Sequence, residues 1–499
     1  MIAPNEANLW QRVKKASRIL FNQAHGYDAA KNTRRRGRRQ DTQVRAEHYA
    51  LDQNDRQRII ATLLDYRRNN PLVNSIFRLR ETDVVGPGLI PQAQSGREDL
   101  DLQLESLWAT WSRHPEVTRT MGMRELQQQL SSLPLIFGDG GLLLTKNGQV
   151  QLVEGDRIGS ENQGGFMFKP SANGEEPQLN GGRRVIDGVE VDKKGMPLAY
   201  HIGTREDGTL RDVRRVAAKN FIFHMKRIRP SQIRGAPELA VVADDLQDLE
   251  EYDSIEMVSA KVAASLSAVI KRDGGLDFEL ANRANDDEEE RLEHMHPGQF
   301  QYLEPGEDVS VISPNSRPNV DAIDWCTYRL RKVGASLGIP VEFLLMTIGH
   351  TSFSASQGMV LLYQQTVEAE QRNLYPVMNR LWAWKVRNWA AHGLIEWDKE
   401  NENPFDVRWQ PPSFRWVNRA AQVKADMQYL NMGAISLDDV AATFGTDAAT
   451  VLERKAKNIK TAKRLAEEYD VSEWRDLFNP VQTTAQLNFV DMLEAKGEL

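Results

Sequence analysis

The sequence predicts an α+β protein, and three observations carry that expectation. Apolar residues recur at three- and four-residue steps over 55–82, 237–272 and 319–337, the period of a helix with one buried face. Residues 142–154 and 185–202 instead hold short apolar runs separated by Gly-containing turns, the pattern of antiparallel strands. At 499 residues, 40% hydrophobic and 27% charged, the chain is long enough for about two to four compact units with real cores.

Taken in order, residues 1–45 form a basic arm carrying Lys31, Arg34, Arg35, Arg36, Arg38, Arg39 and Arg45. Such a block reads either as a solvated tail or as a contact surface for DNA or another anionic partner. Its Trp10, Val13, Ile19 and Leu20 lie among Arg12, Lys14, Lys15 and Arg18, which lacks the continuous apolar core of a signal peptide. Ile59, Leu63, Tyr66, Val73, Ile76 and Leu79 then make a helical stripe that Pro71 interrupts, and Gly86-Pro87-Gly88 turns the chain. Leu100, Leu104, Leu107 and Trp111 mark a further helix. Gly138-Asp139-Gly140-Gly141 leads into a strand at Leu142, and 160–184 is a Gly/Asn-rich loop. Residues 46–235 therefore read as one α+β unit with a small antiparallel sheet.

Pro237 suits a first helical turn, and no Gly or Pro follows until Gly274. The stretch 237–272 reads as a single helix of roughly 54 Å at 1.5 Å per residue. Asp244, Asp245, Asp248, Glu250, Glu251, Asp253 and Glu256 load its first half, and Lys271 and Arg272 suit its negative end. Residues 273–318 form an insertion with the acidic run Asp286, Asp287, Glu288, Glu289, Glu290 and strand-like pieces at 300–303 and 309–312. A helix at 319–337 ends at Gly338-Ile339-Pro340, and a polar loop occupies 349–358. A long helix striped by Leu374, Met378, Leu381, Trp382, Val386 and Trp389 comes next, with Pro376 expected to kink it or reset its first turn. Ser436 with Asp439 resembles a capping box, and Leu452, Ala456, Ile459, Ala462 and Ala466 stripe a terminal helix.

The net charge of −7 argues against a tight DNA binder, because affinity for DNA comes largely from neutralising phosphates. It suits a conduit, whose wall must not brake a sliding polyanion. The single cysteine, Cys326, leaves no internal disulfide or multi-cysteine metal site. No apolar run approaches the ~20 residues of a membrane helix. The Gly138–Gly141 run lacks the lysine and spacing of a phosphate loop, and no Gly-x-Ser-x-Gly elbow occurs. His294 and His296 could share a strand face as a metal pair, or lie in a solvated loop before Pro297-Gly298. The expectation is a protein without catalysis or cofactor. Ile348, Gly349, His350, Thr351, Ser352, Phe353 and Ser354 combine hydroxyls, an imidazole and an aromatic, suited either to weak phosphate contact or to an ordinary connector.

Several segments resemble a known family in the family's own order. Gly155-Asp156-Arg157-Ile158 is similar to its strand-end motif, and residues 188–202 (GVEVDKKGMPLAYHI) to its hairpin. Residues 224–239, including IRPSQIRGAPEL, resemble its approach to a long helix, and 338–345 (GIPVEFLL) followed by 352–358 (SFSASQG) its channel-loop region. Over about residues 50–470 the chain resembles the lambda-like bacteriophage portal proteins. The resemblance implies a ring, typically of twelve copies, at one capsid vertex of the virion, assembled in the host cytoplasm. Such a ring passes the genome during packaging and ejection. Its parts would be a wing (46–235, with 359–417), stem helices (237–272 and 319–337), a clip (273–318), a tunnel-loop region (338–358) and a crown with tail (418–499). Implied partners are double-stranded DNA touched weakly in the channel, the terminase, the major capsid protein and a head-completion or adaptor protein, with no membrane. The residues Ile348 to Ser354 would face DNA, Asp244, Asp245, Asp248 and Glu251 would line the stem channel, and Asp286 to Glu290 would meet partners. The competing readings are another head–tail adaptor or capsid component and, further off, a metal-dependent nuclease using His294 and His296.

Overall fold

Asn70 and Pro71 cut the first helical stripe in two. Asn70 has extended backbone, and its side-chain oxygen accepts from the amides of Leu72 at 2.9 Å and Val73 at 3.1 Å, capping a helix that opens with Pro71. The result is α1 (Gln53–Asn69) and α2 (Pro71–Leu79), continued by a π-helical turn over Arg80–Val85. The computed structural model describes residues 51, 53–159, 178, 179, 183–206, 208–265, 269–272, 307–310, 320–347, 352–412, 419–437, 440, 441, 444, 446 and 448–470.

After the π turn come β1 (Ile90–Ala93), α3 (Glu98–Trp111) and α4 (Met123–Ile136). Strands β2 (Asp139–Leu144), β3 (Val150–Glu154) and β9 (Phe221–Met225) make an antiparallel sheet in the order β3-β2-β9. Between them β4 (Gln178–Leu179), β5 (Arg183–Ile186), β6 (Val189–Val191), β7 (Pro197–Glu206) and β8 (Thr209–Ala217) form a five-stranded meander. These carry the predicted strand regions, and the fold class is α+β as expected. Part of the predicted 160–184 loop is strand, since β4 and the start of β5 pair within it. The sheets share a small core of Val153, Ile158, Ile186, Tyr200, Ile202 and Phe221.

The later elements are α5 (Ala243–Ser265), β10 (Val269–Arg272), β11 (Glu307–Ser310), α6 (Val320–Leu337), the short α7 (Val341–Leu344), α8 (Phe353–Ala391), β12 (Val407–Gln410), α9 (Arg419–Asn431) and α10 (Ala448–Glu468). Here the expected single helix 237–272 is corrected. Pro237 stands before a 3-10 turn over Glu238–Val241, α5 covers 23 residues, and 269–272 is a strand. Adjacent β-branched Val269 and Ile270 favour extended backbone, and their partners Ser310 and Val309 supply the ladder bonds a helix would lose. The strand expected at 309–312 accordingly lies at 307–310. The one expected at 300–303 lies outside the described residues, as do residues 266–268.

The polar loop is also shorter than its composition suggested. Ser352 caps α8 by accepting from the Ala355 amide at 3.3 Å, so 353–358 is helical and the helix runs unbroken through Pro376 for 39 residues. Several elements had no counterpart in the sequence reading, among them α4, β8, β9 and the pair β1–β12, whose strands lie some 300 residues apart. The main core lies where α1–α4 meet α8, with Leu63, Leu100, Leu126, Leu130, Met378 and Trp382 buried. Trp108 packs against both Trp382 and Trp409, ring centres 5.3 and 5.6 Å away. Beside this cluster Lys385 is buried, and among the described residues no carboxylate pairs with it. Its ammonium donates to the Gly148 carbonyl at 2.8 Å and sits 4.6, 5.6 and 5.8 Å from the rings of Trp111, Trp389 and Trp384.

Candidate functional site

The long acidic helix α5 finds its counter-charges on α6 of the same chain. Asp245 accepts from Arg329, and from Lys332 at 3.0 Å, while Asp248 accepts from the other Arg329 nitrogen at 2.8 Å. Further along, Tyr252 packs on Trp325 with ring centres 4.4 Å apart, and Cys326 Sγ lies 3.9 Å from Asp253 Oδ1. Residue numbers that rise on one helix fall on the other, so the two helices run antiparallel. The hairpin β10–β11 lies between them in the chain. Hydrogen bonds from Lys332 and then Arg329 hold the Asp245 carboxyl below the usual range. Burial, and the Asp253 carboxylate beside it, push the Cys326 thiol up, which keeps it protonated and unreactive.

This pairing sorts the acids proposed for a channel wall. Asp245 and Asp248 are neutralised by their own chain, Glu251 accepts from Gln247 at 3.0 Å, and Asp244 is exposed. Of the loop residues, Ile348, Gly349, His350 and Thr351 lie outside the described residues. Ser352 is the exposed cap of α8, and Phe353 and Ser354 belong to its first turn. Asp286, Asp287, Glu288, Glu289, Glu290, His294 and His296 also lie outside the described residues. Among the described residues no group of three or more His, Cys, Asp or Glu is placed to hold a metal. Among them, too, no helix is long and apolar enough to cross a membrane.

At the root of α5 stand two ionic knots that sequence reasoning missed, the first fully buried and the second partly. In the first, Arg234 spends all five of its N–H donors inside the protein. It grips both Asp139 carboxylate oxygens at 2.7 and 2.9 Å, and donates to the carbonyls of Gly155 (2.7 Å), Ile158 (2.9 Å) and Asp187 (2.6 Å). Two of the segments singled out in the sequence, 155–158 and the one ending at Leu239, thus meet at one guanidinium, which also holds Asp187, the residue just before the segment 188–202. The paired carboxylates outweigh its burial and raise its affinity for the proton further. Arg56 of α1 adds a bond to Asp187 at 2.9 Å and another to the Gly235 carbonyl. Gly235 is required there, because a Cβ would sit 1.9 Å from the Gly138 carbonyl oxygen.

In the second knot two cations and two carboxylates alternate. Glu238 accepts from Arg80 at 3.1 Å and Lys226 at 3.2 Å, and Glu370 from Arg80 at 2.5 Å and Lys226 at 2.6 Å. His224 lies beside them, its pKa lowered to about 4 by burial and then by the Arg80 charge. The π turn completes the joint, with Asp83 accepting from the Tyr363 hydroxyl at 2.8 Å and the Val84 carbonyl from Gln371 at 3.2 Å. Burial and Asp83 push the Tyr363 hydroxyl far up, so it remains a donor. Helix α8, which begins beside the candidate loop, is thereby fastened to the root of the α5–α6 pair. Arg80 and Glu370 sit in ordinary helical stripes, and nothing in their local sequence announces the contact.

Comparison with known proteins bears on what this arrangement belongs to. The family described as phage portal protein, lambda family, matches residues 33–371. The chain belongs to that family. A probable portal protein of Halomonas phage phiHAP-1 is 21% identical over 342 residues, 64% of this chain and 62% of the relative. The chain therefore aligns with less than two thirds of that relative's length. Among solved structures, a chain from the virion of a native gene transfer agent particle superposes with a TM-score of 0.46 at 15% identity, over 78% of this chain and 93% of that one. A chain from the neck of the native particle, computed with C12 symmetry, gives 0.46 at 15%, over 77% and 93%. The family match spans both knots, the helix pair and the first half of α8.

Proposed function

We propose that this chain is the subunit of a portal ring at one vertex of a phage capsid, through which double-stranded DNA enters during packaging and leaves at ejection. One observation carries the reading: in a chain of the portal family, two antiparallel helices locked by Asp245–Arg329 flank a β-containing insertion. In it, α5 and α6 are the stem, 273–318 the clip, 46–235 with 359–417 the wing, and 418–499 the crown and tail. Ile255, Val258, Ile323 and Tyr328 stay exposed on the stem helices, apolar surface of the kind neighbouring copies cover. The clip acids Asp286 to Glu290 are proposed for the terminase and later a head-completion or adaptor protein, and the wing for the major capsid protein. Residues 348–351 with Ser352 are proposed to touch DNA in the channel. Asp244, Asp245, Asp248 and Glu251 are proposed to line the channel, with the charge of Asp245 and Asp248 already compensated by Arg329 and Lys332. In this reading the chain guides DNA, and the terminase hydrolyses ATP.

Negative-stain imaging with native mass measurement tests the proposal. A ring of about twelve subunits with a central hole is the expected result, whereas a compact monomer or dimer would overturn it. ATPase activity from the purified ring alone would overturn the division of labour with the motor.

A further inference from the structure

The charge of this chain is unevenly distributed, and its last described helix runs against the overall sign. While the whole chain carries −7, α10 holds Arg454, Lys455, Lys457, Lys460, Lys463 and Arg464 against only Glu453, Glu467 and Glu468. At 100° per residue, Lys457, Lys460 and Arg464 fall within about 60° of one another, in a stripe about 10 Å long. Ala462 and Ala466 lie on the opposite side and are buried. The helix is therefore seated by its small residues and turns its cations outward. All six cationic residues are exposed.

An ordinary solvated helix would compensate such a row with carboxylates one turn away. Here, among the described residues, Lys457 pairs with Glu453 at 3.4 Å and Arg464 with Glu468 at 3.6 Å, both highly exposed. Among the described residues Arg454, Lys455 and Lys460 have no carboxylate within salt-bridge distance. A membrane-seeking amphipathic helix would need a continuous row of bulky apolar residues free on its other face, whereas Ala462 and Ala466 are small and buried there and Leu452 is the bulky residue left exposed. What the row matches is a linear polyanion, with one charge per ~1.7 Å of duplex axis.

We propose that α10 is a non-specific binding surface for the phosphate backbone of double-stranded DNA, formed by Lys457, Lys460 and Arg464 and flanked by Arg454 and Lys463. The inference rests on the portal reading for its setting, since the crown would face DNA inside the head. It concerns residues other than those of the channel loop and of the basic arm at 31–45. It also qualifies the expectation drawn from net charge: an acidic conduit carries a basic patch at one end, where holding DNA does not brake its passage through the stem.

The test is binding of a 30-base-pair random duplex to the full-length protein by fluorescence anisotropy across a salt series. Three variants are compared: K457E/K460E/R464E, the milder K457Q/K460Q/R464Q, and a truncation of residues 1–45. Native mass measurement of each variant reports assembly independently. The expected result is at least about a tenfold loss of affinity in the Glu triple variant and a smaller loss in the Gln variant. The slope of log affinity against log salt should become shallower by about two or more, with assembly unchanged. Wild-type affinity in both triple variants would overturn the inference, as would binding abolished by the truncation alone. Retention of an acidic polyglutamate peptide in preference to DNA at equal salt would overturn it in favour of a protein partner. A failed ring would instead count against the portal reading, so the two failures are distinguishable.

Discussion

The Arg234 guanidinium holds both oxygens of the Asp139 carboxylate, at 2.7 and 2.9 Å, with neither side chain reaching solvent. One residue from the approach to α5 and one from the start of β2 thereby fix where the paired helices leave the sheets. Breaking such a pair leaves an uncompensated buried charge, which costs about 3–5 kcal/mol. Arg234→Ala should lower stability to urea by that amount. Arg234→Lys should recover little of it, because a point-charge ammonium cannot serve the carboxylate and three carbonyls at once. Full recovery in the Lys variant would show that charge alone, not the fork, makes the joint.

Asp245 and Arg329 pair within one chain, which predicts a coupling independent of assembly. A double-mutant cycle with Asp245→Ala and Arg329→Ala should give about 0.5–1 kcal/mol at protein concentrations above and below ring formation. A coupling seen only in assembled protein would mean that the two residues meet across subunits. The sign with pH follows from the lowered pKa of Asp245. Its contribution is complete above the ordinary carboxylate value of 3.8 and disappears as pH falls through the lower folded value.

His224 makes the second ionic knot sensitive to acid. Its folded pKa is about 4 against 6.5 for a free imidazole, so between those values the unfolded chain binds the extra proton and stability falls as pH falls. Thermal melts of wild type and His224→Gln from pH 7 to pH 4 should diverge, the wild type losing up to about 3 kcal/mol more. Parallel melting curves would show that the imidazole is not buried neutral.

Lys385 titrates in the same direction at higher pH. Burial draws its pKa from 10.5 to about 8, so the unfolded chain holds the proton longer and stability should rise between pH 8 and 10.5. Lys385→Met fills the Trp111, Trp384 and Trp389 cage with an apolar stem. It should abolish that rise while changing stability at pH 7 by less than about 1.5 kcal/mol. A much larger loss would show that the cation–π contacts and the bond to Gly148 outweigh burial.

How far the sequence could be read depended on whether a signal was local. Periodicity located α1, α2, α3, α6 and the body of α8, and the order of segments 155–158, 188–202 and 224–239 reached the family later matched over 33–371. Local signals also misled. The uninterrupted run to Arg272 read as helix because apolar spacing says nothing of a partner such as Val309, which turns Val269 and Ile270 into strand. The hydroxyl-rich stretch after Thr351 read as loop, although Ser352 is a helix cap and Phe353 already helical.

What the sequence determined by itself was therefore the class of fold, the order of its parts, the family and the imbalance of charge. Each of these is written in neighbouring residues or in their sum. Only the tertiary structure decided which charges meet. Asp245 is compensated by Arg329 across 84 positions, Asp139 by Arg234 across 95, and Glu370 by Lys226 across 144. An ion pair forms through space between side chains that packing brings within about 4 Å. No periodicity or motif records such a distance until the helices and sheets have docked.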